Sequence, residues 1–204
     1  EVFPECGGKL ECTTARLKQV ADSKASGMLF DRLFVRHWDT WKNGTRAQLF
    51  TLNLNADGTA RNPILVSRDI DGDVPTKPFG DDADFTFSPN GKDLVFVARI
   101  AGRTEPWSTN LDLWQVPADG SGKPVNLTDA NDATDTQPVY SPDGSTLAWR
   151  AMKRPGFEAD RDALMLRDLK AGVTREIAPD WDRSVDSLAL SADGKTLYTQ
   201  ADDL

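Results

Sequence analysis

Apolar residues along the chain alternate with polar ones over short runs bounded by turn residues, which predicts β-strands over most of its length. The clearest phrase is "VYSPDGSTLAWRA", Val139 to Ala151. Two apolar runs flank a Pro-Asp-Gly turn. Asp-Gly supplies the positive φ that a tight hairpin requires, and proline pre-sets the backbone before it. The phrase recurs as "FTFSPNGKDLVFVAR" from Phe85 to Arg99 and as "LALSADGKTLYTQAD" from Leu188 to Asp202. Aligning Ser88, Ser141 and Ser191 gives spacings of 53 and 50 residues.

A second phrase fills the intervals. "DLWQVPADGSGKPVNLT" (Asp112 to Thr128) and "ALMLRDLKAGVTREIAP" (Ala163 to Pro179) each read strand, glycine-containing turn, strand. "QLFTLNLNADGTARNPILVS", Gln48 to Ser67, is an earlier version. Two hairpins in every period of about 50 residues make a four-stranded unit, the sign of a β-propeller blade. The expected fold is all-β: about three four-stranded blades, from roughly Gly27 to Leu204, of a larger propeller. An open arc of blades leaves strand edges and a core face bare, so the reading is of one piece of a longer protein. Residues 1–26 do not fit the repeat. Within them "TTARLKQVADSKASG" predicts a short helix with Leu17, Val20 and Ala21 on one face.

Composition narrows the function classes. The net charge is −8, with no basic face to hold phosphates, which argues against a nucleic-acid partner. No apolar stretch is long enough to cross a bilayer as a helix. The two cysteines, Cys6 and Cys12 in "ECGGKLEC", stand without a second pair or a nearby histidine, which disfavours structural zinc. Paired, they would place the protein in an oxidising compartment, periplasmic or secreted; free thiols in a cytosolic chain are the alternative.

Candidate chemistry is sparse. There is no Gly-x-Ser-x-Gly nucleophile elbow, and His37 is the only histidine, so no Ser-His-Asp triad is offered. "RDIDGDVP" sets Asp69, Asp71 and Asp73 at alternate positions, but its glycine and missing glutamate break the register of a calcium loop. No metal or other cofactor is expected. Two phrases escape the repeat. "RLFVRHWDTWKNGTRAQLF" gathers His37, Trp38 and Trp41 beside Asp39, and reads either as a domain-interface element or as a strand pair turning at "NGT" whose tryptophans pack between blades. "RAMKRPGFEADRDALML" places Phe157, Glu158, Asp160 and Arg161 where a hairpin should turn quickly. Glu158, Asp160 and Arg161 are candidate substrate-binding residues, with an internal salt bridge as the plain alternative.

Together "HWDTW", "VPTKPFGDDADFTFSPNGK", "EPWSTNLDLWQVPADG", "TQPVYSPDGSTLAWRAMKRPGFEADR" and "DRSVDSLALSADGKTLY" resemble the propeller of prolyl oligopeptidase-family serine peptidases. The bacterial dipeptidyl aminopeptidase and acylaminoacyl peptidase group is the nearest type. The turn phrases alone are shared with TolB-like propellers, which dock protein partners and form the competing class. The resemblance implies a propeller of about seven or eight blades that caps and gates a C-terminal α/β-hydrolase domain carrying the Ser-Asp-His triad, which this chain lacks. It implies a peptide substrate, whose free amino terminus an acidic propeller segment holds; Glu158 resembles that anchor. Ala159 separates Glu158 from Asp160, a departure from a paired-glutamate motif that leaves dipeptidyl or acylaminoacyl preference open. Expected partners are the peptide and the chain's own hydrolase domain; a homodimer stays open.

Overall fold

The computed structural model describes residues 1–202. Helix α1 (Leu10–Asp22), the one α-helix among the described residues, is followed by β1 (Arg36–His37) and β2 (Thr40–Trp41), then by β3 (Phe50–Leu54) and β4 (Ala60–Leu65). Strands β5 (Phe85–Phe87), β6 (Asp93–Ala98), β7 (Asp112–Pro117) and β8 (Val125–Asn126) form one antiparallel four-stranded sheet in sequence order. Strands β9 (Asp135–Tyr140), β10 (Thr146–Ala151), β11 (Ala163–Asp168) and β12 (Val173–Ile177) form the next. A hairpin of β13 (Ser187–Leu190) and β14 (Leu197–Gln200) follows. The repeat thus resolves into two complete blades flanked by the paired hairpins β3–β4 and β13–β14, a segment of a β-propeller.

The three serine turns are built alike. In each, the serine hydroxyl donates to the Asn or Asp two residues on: Ser88 to Asn90 at 2.8 Å, Ser141 to Asp143 and Ser191 to Asp193 at 2.6 Å. The same hydroxyl accepts from the backbone N–H of Asp93, Thr146 or Thr196 at 2.9 Å. Gly91, Gly144 and Gly194 hold φ of 69–72°, which a side chain would strain. The turns also stack: a Cβ on Gly144 would lie 3.5 Å from the Pro89 ring, and one on Gly194 at 3.5 Å from Pro142. One blade's proline therefore seats the next blade's turn.

Strand β6 reads as a continuous apolar run because both of its faces are covered. Leu94, Phe96 and Ala98 pack toward Val66, Ile70, Val74 and Val116. Val95 and Val97 pack the other way, with Leu113 of β7, toward Leu147, Trp149 and Ala151 of the second blade. Phe96, Leu113 and Leu147 are wholly buried. Helix α1 behaves differently. Leu17 and Val20, its apolar face in the sequence, are exposed, and the helix buries only Thr13, whose hydroxyl accepts from the Phe3 N–H at 3.4 Å. The Cys6 and Cys12 sulfurs are bonded, with Cα atoms 5.6 Å apart, and this bond ties the start of α1 to the turn before it.

Antiparallel order sends the β6–β7 and β10–β11 connections out of the same end, opposite the serine turns. Both connections are long, Arg99 to Leu111 and Met152 to Asp162. The candidate site lies at this end.

Candidate functional site

A cleft of about 450 Å³ opens between these connections. Its walls bring together residues far apart in sequence: Phe34 and His37 from the first irregular segment, Arg99, Glu105 and Trp107 from the β6–β7 connection, and Arg150 and Glu158 from the second blade. Thus His37 and Glu158, singled out in separate phrases, share one cavity.

The β10–β11 connection holds its shape through Asp160. Its carboxylate accepts from the backbone N–H groups of Lys153 and Arg154 at 2.9 and 2.8 Å, and from Arg154 Nε at 2.9 Å. These donors outweigh the cost of desolvation and hold the carboxyl at about 2. The Arg154 guanidinium lies 4.0 Å from the centroid of the Phe157 ring, which packs the loop further. Arg161 turns away from the cleft. Its Nη2 donates to Glu176 of β12 at 2.5 Å and its Nη1 to the Trp181 carbonyl at 3.0 Å. Asp160 and Arg161 are therefore braces of the loop, each with its own partners. Glu158 is the remaining member: exposed, on the cleft wall, and with no hydrogen bond to its carboxylate among the described residues. Burial pulls the Arg99 guanidinium below its ordinary value; Glu105 and Asp73 oppose this most, and Glu158 adds a smaller effect of the same sign.

Beneath the cleft lies a buried charge network that sequence reading did not find. Arg46 donates to both oxygens of Glu105 at 2.8 and 2.9 Å, and to Asp73 at 3.2 Å. Lys42 donates to the same Asp73 oxygen at 2.7 Å. These cations hold the Asp73 carboxyl below its ordinary value against a strong desolvation penalty. The acidic run "DIDGD" is thereby accounted for: Asp73 is spoken for by Lys42 and Arg46, Asp71 pairs with Arg32 at 3.1 Å, and Asp69 lies 3.4 Å from Lys123. Among the described residues no cluster of His, Cys, Asp and Glu is arranged to hold a metal ion.

Trp38 and Trp41 do not pack between the sheets. They stand 69% and 57% exposed. Strands β1 and β2 pair over only two residues, and the hairpin turns at Trp38-Asp39 rather than at "NGT". Trp38 itself adopts φ of 49°, an unusual conformation for a bulky residue. Phe34, His37, Trp38 and Phe79 run as a chain of edge-on and tilted ring contacts, with centroids 4.8–5.6 Å apart, along one side of the cleft. Phe30 stacks on Trp41 at 5.7 Å. At the "NGT" sequence, Asn43 instead caps the Thr45 N–H at 3.0 Å.

Arg150 is fixed for position, with Nη1 donating to the Val185 and Asp186 carbonyls at 3.2 and 3.1 Å. Asp84, also on the cleft wall, is raised above its ordinary value by burial; its oxygen accepts a long contact of 3.4 Å from the Gln137 N–H. The signal for the β6–β7 wall was the same as for the second: too many residues between Ala98 and Asp112 for a hairpin.

No family model matches the chain. Over 88% of its length it is 32% identical to dipeptidyl-peptidase 5 of Aspergillus fumigatus, and over 86% it is 31% identical to dipeptidyl-peptidase 5 of Porphyromonas gingivalis. It spans only 27% and 25% of those proteins. The peptidase resemblance of the sequence motifs is thus matched by relatives named as dipeptidyl peptidases, along about a quarter of their length. Among solved structures, TolB from Acinetobacter baumannii aligns with 71% of this chain and 29% of its own, at 19% identity and a TM-score of 0.47.

Proposed function

We propose that this chain is the substrate-holding propeller segment of a serine peptidase of the prolyl oligopeptidase family, one that removes dipeptides from free peptide amino termini. The observation that carries the reading is Glu158: a carboxylate without a hydrogen-bonding partner among the described residues, on the wall of a cleft, carried by a loop whose own acid and arginine are tied back. A peptide ammonium group at that wall would give Glu158 a charge-assisted contact. The similarity to two dipeptidyl-peptidases supports the substrate class.

The bond-breaking chemistry belongs to an α/β-hydrolase domain in the same polypeptide. This segment's contribution is to bind, orient and admit the peptide. Nucleophile, base and oxyanion donors on the hydrolase domain act on a scissile bond whose distance from the amino terminus is set by the anchor, which favours release of a fixed length. The disulfide between Cys6 and Cys12 fits a periplasmic or secreted location. The full-length protein, assayed with chromogenic dipeptidyl substrates, should release dipeptides in a reaction abolished by a serine-directed inactivator. Absence of such turnover in active-site-titrated protein would remove the peptidase reading.

A further inference from the structure

The edge of β3 that faces away from β4 carries no backbone partner among the described residues, although the equivalent edges of β7 and β11 are paired with β6 and β10. In those blades the second strand ends opposite the start of the third: Ala98 opposite Asp112, and Ala151 opposite Ala163. The first hairpin has a remnant of the same arrangement. Val2 and Arg46 form an isolated antiparallel bridge, with Val2 N donating to the Arg46 carbonyl at 2.9 Å and Arg46 N to the Val2 carbonyl at 2.8 Å. Val2 is buried, and the chain running backward from it points along β3.

We infer that the polypeptide immediately preceding Glu1 in the full-length protein is the second strand of this blade and pairs antiparallel with β3. The Val2–Arg46 bridge sets its register: Glu1 lies opposite Ala47, and each residue further back lies opposite one further forward along β3. The occupant should present apolar residues on the face it shares with Leu52 and Leu54 of β3, which are exposed without it. It should also open with a serine turn. Ser88 precedes Ala98, and Ser141 precedes Ala151, by 10 residues, so a Ser-Pro-Asp-Gly-like phrase belongs roughly ten residues before Val2.

The consequence reaches the cleft. Residues 3–45, with the disulfide, α1 and the aromatic chain, become the connection between second and third strands of this blade. They are then the counterpart of the Arg99–Leu111 and Met152–Asp162 connections. Three successive blades each send the same connection into one cavity. This inference is independent of the peptidase reading, since it rests on strand pairing alone.

The test uses the full-length protein. Amides of Phe50–Leu54 should exchange with deuterium as slowly as those of β7, roughly tenfold or more slower than an open edge strand. A Thr51→Cys variant should form a disulfide with a cysteine placed at the fourth residue before Glu1. The fifth residue, whose side chain points to the opposite face, should give none. Fast exchange across β3, or cross-linking only at the shifted position, would overturn the inference.

Discussion

Arg46 and Glu105, distant in sequence, meet through two parallel hydrogen bonds of 2.8 and 2.9 Å with both side chains largely removed from solvent. This pair fastens the base of the first hairpin to the connection that forms one wall of the cleft. Glu105 also keeps the Arg46 guanidinium strongly charged, above its ordinary value. Removing Glu105 leaves the buried Arg46 with only its longer contacts, to Asp73 at 3.2 Å and Asp71 at 3.7 Å. Glu105→Ala is expected to destabilise the fold by on the order of 3–5 kcal/mol, read as a lowered denaturant midpoint. Pairing it with Arg46→Met should recover a good part of that loss, and failure of the double variant to recover would show that the loss does not come from the Arg46–Glu105 pairing.

The blade interface contains a titrating device of a different kind. Asp135 is buried, accepts from Trp149 Nε1 at 2.5 Å and from Asn131 at 2.9 Å, and is pushed up to about 7, mainly by burial with Asp112 adding repulsion. The folded state therefore holds a proton that the unfolded chain releases near pH 4. Between about 4 and 7 the folded state binds more protons, so this group's contribution to stability falls as pH rises, by at most about 1.4 kcal/mol per pH unit. Asp135→Asn keeps an acceptor for Trp149 and cannot titrate. Urea midpoints measured across that range should lose this slope in the variant; an unchanged slope would assign it to other groups.

Asp160 should show the opposite sign. Its carboxyl lies at about 2, below the unfolded value, so its bracing of the loop is fully present above about pH 4 and fades as pH falls toward 2. Asp160→Asn should loosen residues 153–160, seen as faster proteolytic nicking there at neutral pH. Equal nicking in wild type and variant would mean that the Arg154 and backbone contacts do not hold the loop.

Much of the architecture was legible because one turn chemistry repeats. Ser88, Ser141 and Ser191 mark identical loops, and the runs between them alternate as strands must. Glu158 was legible as an excess of residues where a hairpin needs few. The matching excess between Ala98 and Asp112 carried the same signal but is diluted by glycine, threonine and serine, so Arg99 and Glu105 went unread. The Arg46–Glu105–Asp73 network could not be read at all, since pairing at such separation depends on blade packing. The tryptophans misled for a local reason. Trp38 takes left-handed backbone and makes the turn itself, so the hairpin closes at Trp38-Asp39 and not at "NGT".

The bond between Cys6 and Cys12 bears on location and on the first connection alike. A non-reduced digest of protein purified from its native source should yield the two cysteines in one cross-linked or cyclic peptide. Cys12→Ser should leave the blades folded, because their core residues lie elsewhere, while weakening the attachment of α1. Free thiols at both positions in that protein would remove the argument for an oxidising compartment.

In the proposed role, Glu158 meets the charged amino terminus of a peptide. The measurement is kcat/KM of the full-length enzyme and its Glu158→Gln variant on matched dipeptidyl substrates, with the amino terminus free or acylated. Loss of one charge-assisted contact is worth on the order of 1.5–3 kcal/mol, roughly a ten- to hundredfold drop for the free-amine substrate. The acylated substrate has no charge to pair and should change little. Equal, small effects on both substrates would rule out the anchor and leave the loop as scaffolding.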